Sequence, residues 1–270
     1  MKKTKLISFV LTFLLLTSSC SNLGTSSLEP SDEEINAEAE KAYNEVKAKS
    51  KISTNKNWNA MVQRVANRIA MASKENFKWE TIIIESPEIN AWCMPGGKMA
   101  VYTGIMPILK NEAALAAVMG HEVSHATLRH GKKGYARAVG QNIIGAIVGT
   151  ATAAGGQLLC KTQTCKNLTS LAGVATGFAM TFFDRKFSRK DETSADKEGQ
   201  LLMAKAGYDP SEAPVLWDRM KNSHEGAGPP EFLSTHPSEE NRKEALNSWM
   251  SEAKKVYQSA PHQYGLGEKI

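Results

Sequence analysis

Residues 111–129 read NEAALAAVMGHEVSHATLR, a run of Ala, Leu, Val and Met that leads without interruption into His121-Glu122-Val123-Ser124-His125. The pattern predicts a helix from Asn111 to Arg129, ended by Gly131 and Gly134. Residues four apart on a helix share a face, so His121 and His125 can present two imidazoles to a single ion. Glu122, one step round, can reach a water bound to that ion and take its proton. The motif therefore implies zinc-assisted hydrolysis with Glu122 as general base.

A catalytic zinc needs a third protein ligand and an open fourth position. The metzincin pattern would place Gly at 128 and His at 131, but the chain has Leu128 and Gly131, which excludes that class. Downstream, Ser188 to Ala206 predicts a second helix, stopped by Gly207 and Pro210, on which Glu192, Asp196, Gly199 and Met203 recur at helical spacing. Glu192 is the candidate third ligand, and Asp196 a partner for a ligating histidine. The alternative reading is a solvated charged face, since Arg189, Lys190 and Asp191 surround them. His130, His224 and His262 match no ligand position, and structural or surface roles are expected for each.

Upstream of the motif, Ser31 and Glu34 form a capping box for a helix to about Ser50, and Trp58 to Ser73 places Met61, Val65, Ile69 and Ala72 on one face. Thr81–Glu85 and Lys98–Thr103 are strand candidates. Between them lies the turn-rich segment Asn90-Ala91-Trp92-Cys93-Met94-Pro95-Gly96-Gly97. Part of it, from Ala91 to Pro95, could offer an edge strand to which an extended peptide adds. Two more helices are expected at Pro214–Asn222 and Pro237–Lys255, and residues 261–270 read as a flexible tail. The fold class is therefore mainly α with a small β-sheet (α+β), with a histidine-motif helix and a separate glutamate-ligand helix.

The first nineteen residues read as an export signal, with Lys2, Lys3 and Lys5 ahead of the apolar run Leu6–Leu16 and then Thr17-Ser18-Ser19. Cys20 stands where bacterial lipoproteins are cleaved and lipidated, although Thr17 occupies a position where those signals usually carry Leu. Ser21 after the cysteine resembles lipoproteins sent to the outer membrane. Residues 20–30 then make a small, polar tether. The expected location is the periplasmic face of the outer membrane, held by lipid; the alternative is a soluble periplasmic protein. The chain has 33 basic and 28 acidic residues, and three of the lysines lie in the signal. That near balance gives no case for nucleic acid as a partner.

Residues 31–260 are expected to form one catalytic domain. Within it, residues 139–183 read as an apolar helical hairpin with Cys160 and Cys165 at its turn, close enough in sequence for a disulfide. Small residues suit it to internal or subunit packing; membrane-surface contact is the alternative.

The set His121-Glu122-Val123-Ser124-His125, Glu192-Thr193-Ser194-Ala195-Asp196, and His236-Pro237 with Arg242 six residues on resembles the CAAX-prenyl-endopeptidase and HtpX family of zinc metalloproteases. Asn90-Ala91 followed by Pro95-Gly96-Gly97 matches that family's strand and turn before the active-site helix. Among its members the likeness is to the short periplasmic lipoprotein proteases. The resemblance implies a zincin-like fold holding one Zn2+ per chain on His121, His125 and Glu192, with Glu122 as base and Asp196 orienting a ligand histidine. His236 and Arg242 would lie near the open coordination site, to steady an oxyanion or, for His236, to fill the fourth position at rest. Asn90 to Pro95 would receive the substrate. Implied substrates are unfolded or misassembled envelope proteins, and implied partners are other envelope proteases or assembly machinery. A chaperone that holds clients, with proteolysis secondary or latent through His236, is the competing function.

Overall fold

The computed structural model describes residues 30–137, 182–183, 187–223, 231–237 and 241–270. Ser31 Oγ accepts from the Glu34 amide while Glu34 reaches back to the Ser31 amide, and this reciprocal cap starts α1 (Asp32–Lys49). Asn55 caps α2 (Lys56–Ser73), whose Met61, Val65 and Ile69 are buried as the spacing predicts. A three-stranded sheet follows: β1 (Glu80–Ile84), β2 (Ala91–Met94) and β3 (Lys98–Tyr102) in the order β1-β3-β2. The β1–β3 pair is parallel and the β2–β3 pair antiparallel, which leaves β2 at an edge.

Alternation along the strands divides the core into two layers. Ile83, Ala91, Cys93, Met99 and Val101 face α2 and the histidine-motif helix. Ile82, Ile84, Trp92, Met94, Ala100 and Tyr102 face α1, with Phe182 and Phe183 packed on Trp92. Apart from those two phenylalanines the expected apolar hairpin lies outside the described residues, as do the signal segment, Cys20, Cys160, Cys165 and His224. No helix among the described residues is long and apolar enough to cross a membrane.

The rest is helical: α3 (Met106–Leu109), α4 (Glu112–Thr127), α5 (Arg189–Lys205), α6 (Glu212–Asn222), α7 (Glu231–Thr235), α8 (Arg242–Ser248) and α9 (Met250–Gln258). The segment expected as one helix from Pro237 to Lys255 is thus broken into α8 and α9 at Trp249. The architecture is the mainly helical fold with a small sheet that the pattern predicts, and α4 and α5 form its most extensive helix pair. They cross at glycine: a Cβ on Gly120 would lie 2.6 Å from the Gly199 carbonyl oxygen, and one on Gly199 would lie 2.7 Å from the His121 nitrogen.

Two ends differ from expectation. The motif helix ends before Gly131, because Leu128 and Arg129 close it and Arg129 turns left-handed at φ 60°. That unusual backbone is held by the Arg129 side chain, which donates to Thr127 O at 2.8 Å, to Asp32 at 2.9 Å and to Glu75 at 3.0 Å. Helix then resumes at residues 130–137 and carries both glycines inside it.

Residues 261–270, expected as a flexible tail, are tied across the start of α4. Tyr264 N donates to Gly207 O, Asp209 N to Gly265 O, and Ile270 N to Lys110 O. Carbonyls of Leu266 and Glu268 accept the Ala113 and Glu112 amides, and Asn111 Oδ1 accepts from Ala114. The tail thus satisfies first-turn amides that a helix cannot pair internally. Its residues gave no periodic apolar signal because the ties are mainly backbone bonds.

Buried beneath the tail, Glu112 accepts from Arg64 Nε at 2.8 Å and from the Tyr208 hydroxyl at 3.1 Å, and Arg68 donates to that hydroxyl at 2.6 Å. A carboxylate here also faces the positive end of α4. Glu112→Ala takes the buried acceptor from Arg64 and Arg68, leaving them Glu268 and the Tyr208 hydroxyl; the cost falls at the lower end for a buried pair because of those contacts and the partial exposure of Arg64. The expected loss is about 3 kcal/mol, read as a lower urea midpoint at unchanged slope.

Candidate metal centre

His121 and His125 project from α4 and Glu192 from the first turn of α5, where the Ser188–Asp191 capping box fixes the helix start. His236 follows α7 and closes the cluster. Ligand atoms of His121, His125, Glu192 and His236 all lie within 4.8 Å of one another, and all four residues are buried. The Nε2 of His121 is 3.1 Å from His125 Nε2, 3.2 Å from His236 Nδ1 and 3.3 Å from Glu192 Oε2. The reading of Glu192 and Asp196 as a solvated face is excluded, since Glu192 is 0% and Asp196 6% exposed.

The chemistry of this set fits zinc. Asp196 accepts the Nδ1–H of His121 at 2.9 Å, which leaves a lone pair on Nε2. With the facing imidazole nitrogens bare, their lone pairs and the Glu192 carboxylate converge on one small volume, and Glu192 Oε2 has no hydrogen-bond partner. A cation resolves the repulsion, and nitrogen with carboxylate oxygen suits zinc. The cluster's negative field shows in His121 itself: burial opposes its charge, but the Asp196 hydrogen bond and the neighbouring Glu192 carboxylate outweigh this and raise its pKa to about 9. Burial likewise works against the Glu192 anion, yet His236 and His121 hold its carboxyl below the usual range.

Glu122 stands beside the cluster rather than in it. Its Oε1 is buried with no hydrogen-bond partner, 3.6 Å from His236 Nε2, and the Cys93 amide donates to the carboxylate. Burial raises its pKa, with His236 and His121 partly offsetting the effect. That makes Glu122 a stronger base than an exposed carboxylate.

The other expected residues separate. Asn90, Ala91 and Trp92 line a narrow cavity of about 30 Å³ with Glu122 and His236, closed by Phe182, Phe183 and Phe187. Cys93 and Met94 point instead into the two core layers, and Pro95 is buried at the turn. Arg242, expected beside the open position, lies behind His121: it bonds Asp196, and its Nη2 is 3.2 Å from His121 Nδ1. It also stacks over Trp217 at 3.6 Å.

Sequence reasoning passed over the aromatic column. Trp217 stacks on Phe232, Phe232 on His236 at 4.7 Å, and His236 on Phe187 at 5.2 Å. Phe232 was readable as an apolar residue four before His236 on one helical turn, but Phe187 and Trp217 come from distant segments with no shared period.

Fold and site together define a metallopeptidase of the zincin-like class, with its candidate glutamate ligand on a separate helix. The chain belongs to Peptidase family M48, whose model matches residues 53–250. It is 38% identical over 197 residues to the mitochondrial metalloendopeptidase OMA1 of Schizosaccharomyces pombe, covering 71% of this chain and 53% of that protein. To the human mitochondrial metalloendopeptidase OMA1 it is 33% identical, over 66% of this chain and 33% of the relative. The beta-barrel assembly-enhancing protease of Escherichia coli is 29% identical, over 64% of this chain and 35% of the relative. The chain thus spans from about half to a third of these relatives' lengths.

Proposed function

We propose that this chain is a zinc-dependent endopeptidase that hydrolyses unfolded or misassembled cell-envelope proteins. The observation that carries the reading is the convergence of His121, His125, Glu192 and His236 within 4.8 Å, with the unpartnered Glu122 oxygen beside them. When bound, zinc lowers the pKa of a water and polarises the carbonyl to be attacked. Glu122 takes the water's proton at Oε1 and later gives it to the departing amine. Asp196, braced by Arg242, holds His121 in the tautomer that offers Nε2. An extended peptide lies against the β2 edge, its main chain beside Ala91 and Trp92.

The envelope assignment rests on the signal-like residues 1–19, on Cys20 as lipid acceptor and on the tether that follows, as in short periplasmic lipoprotein members of the family. It is in keeping with a relative whose name concerns β-barrel assembly. A disulfide between Cys160 and Cys165 belongs to the same export reading. A fatty-acid label present on the parent and lost in Cys20→Ala checks the anchor.

His236 favours a resting state that holds substrate out, because its Nδ1 sits among the ligand atoms and two aromatic rings clasp it. His236→Arg is expected to raise casein cleavage tenfold or more, the factor available when the open state is populated at about 10% or below. Loss of cleavage would assign His236 to the oxyanion instead. Chelation should abolish cleavage and added zinc restore it. A zinc-loaded His236→Arg chain and a zinc-loaded parent that both leave casein and unfolded outer-membrane proteins intact would refute the protease reading in favour of client holding.

A further inference from the structure

The two histidines of α4 are braced differently. His121 has the carboxylate of Asp196 at its Nδ1, whereas the Nδ1 of His125 lies 3.1 Å from Nδ1 of another imidazole, His130, which is only 4% exposed. Two facing ring nitrogens make a hydrogen bond when one carries a proton and the other does not. His125 must keep Nε2 bare to bind an ion, so its proton sits on Nδ1 and is donated to His130. His130 then has its own proton on Nε2.

The far side of His130 suits that arrangement. Its Nε2 lies 3.3 Å from Ser194 Oγ and 3.6 Å from the Asp191 carboxylate. Ser194 spends its hydroxyl proton on the Asp191 carbonyl at 2.9 Å, so its oxygen is left to accept from His130. The contacts of His125, His130 and Ser194 thus admit donation in one direction, from His125 to His130 to Ser194. Phe187 covers the ring of His125 at 3.7 Å, which fixes its plane as the hydrogen bond fixes its rotation.

We propose that His130 is a positioning residue for the metal site: it accepts the Nδ1–H of His125 and thereby holds that ligand's Nε2 on the ion. The chain tie is the left-handed turn at Arg129, which brings His130 back toward α4. On this reading α5 supplies one ligand and both braces, Asp196 to His121 directly and Ser194 with Asp191 to His125 through His130. The inference rests on the zinc reading given above.

The test is the zinc dissociation constant of the full chain, measured against a chromophoric chelator, for the parent, His130→Phe and His130→Gln. Phenylalanine fills the space without accepting a proton and should weaken zinc binding roughly 10- to 100-fold. Glutamine offers a carbonyl to the same N–H and should stay close to the parent. The cobalt-substituted absorption bands should move in the phenylalanine variant and hold in the glutamine one. Parent affinity and parent bands in His130→Phe overturn the inference alone, as does a glutamine variant that loses as much while melting with the parent. If the phenylalanine variant does not fold, nitrogen NMR of the zinc-loaded parent decides: a bare Nδ1 and protonated Nε2 on His130 support the inference, and the opposite tautomer overturns it. A parent that binds no zinc overturns the proposed function and this inference with it.

Discussion

Gly199→Ala is expected to destabilise the chain by about 3 kcal/mol and to cost roughly 100-fold in peptidase activity, although alanine is the better helix former. On an open helix this exchange would gain about 1 kcal/mol. The sign reverses here because the new methyl meets backbone, 2.7 Å from the His121 nitrogen and 2.9 Å from the Gly120 carbonyl carbon, which cannot rotate away. The helices must part instead. Their separation sets the distance between Glu192 and Asp196 on α5 and His121 and His125 on α4, so stability and metal geometry fall together. Thermal unfolding, zinc affinity and casein cleavage measured on one preparation check the coupling. A variant that melts with the parent would show that the crossing relaxes freely and does not set the site.

Glu122→Gln is expected to lower kcat/KM by about 10²- to 10⁴-fold with zinc content unchanged. The amide matches the carboxylate in shape but cannot take a proton, and Glu122 is not among the clustered ligand atoms. Stability should hold or rise, because burial penalises the charged carboxylate and the neutral amide escapes that penalty. The combination separates a base from a ligand. Loss of zinc along with activity would place Glu122 in the coordination set, and undiminished cleavage would remove it from the reaction.

Much of this was legible in the sequence because it lies within single helices. The four-residue interval of His121 and His125, and that of Glu192 and Asp196, survive folding unaltered. What could not be read depends on how the chain departs from periodicity. On an unbroken helix His130 would point about 140° away from His125, five residues earlier. Arg129 breaks the helix and turns it back, and the partners that hold Arg129 there, Asp32 and Glu75, are far away in sequence. Arg242 was placed by its motif beside the open position, yet its planar guanidinium finds both the Asp196 carboxylate and the Trp217 face behind His121. Residues 261–270 carry Tyr264, Leu266 and Ile270 at no sustained helical or strand period, and their backbone caps α4 regardless.

That cap has a bearing on timing. The amides of Glu112 and Ala113 receive their partners only when Glu268 and Leu266 arrive, after the rest of the described fold has been made. A chain emerging from a ribosome therefore carries the candidate ligands His121 and His125 before the residues that cap their helix have been made. Were the chain to digest unfolded polypeptide, as proposed, that order would favour inactivity of each nascent copy until its own synthesis has passed residue 268.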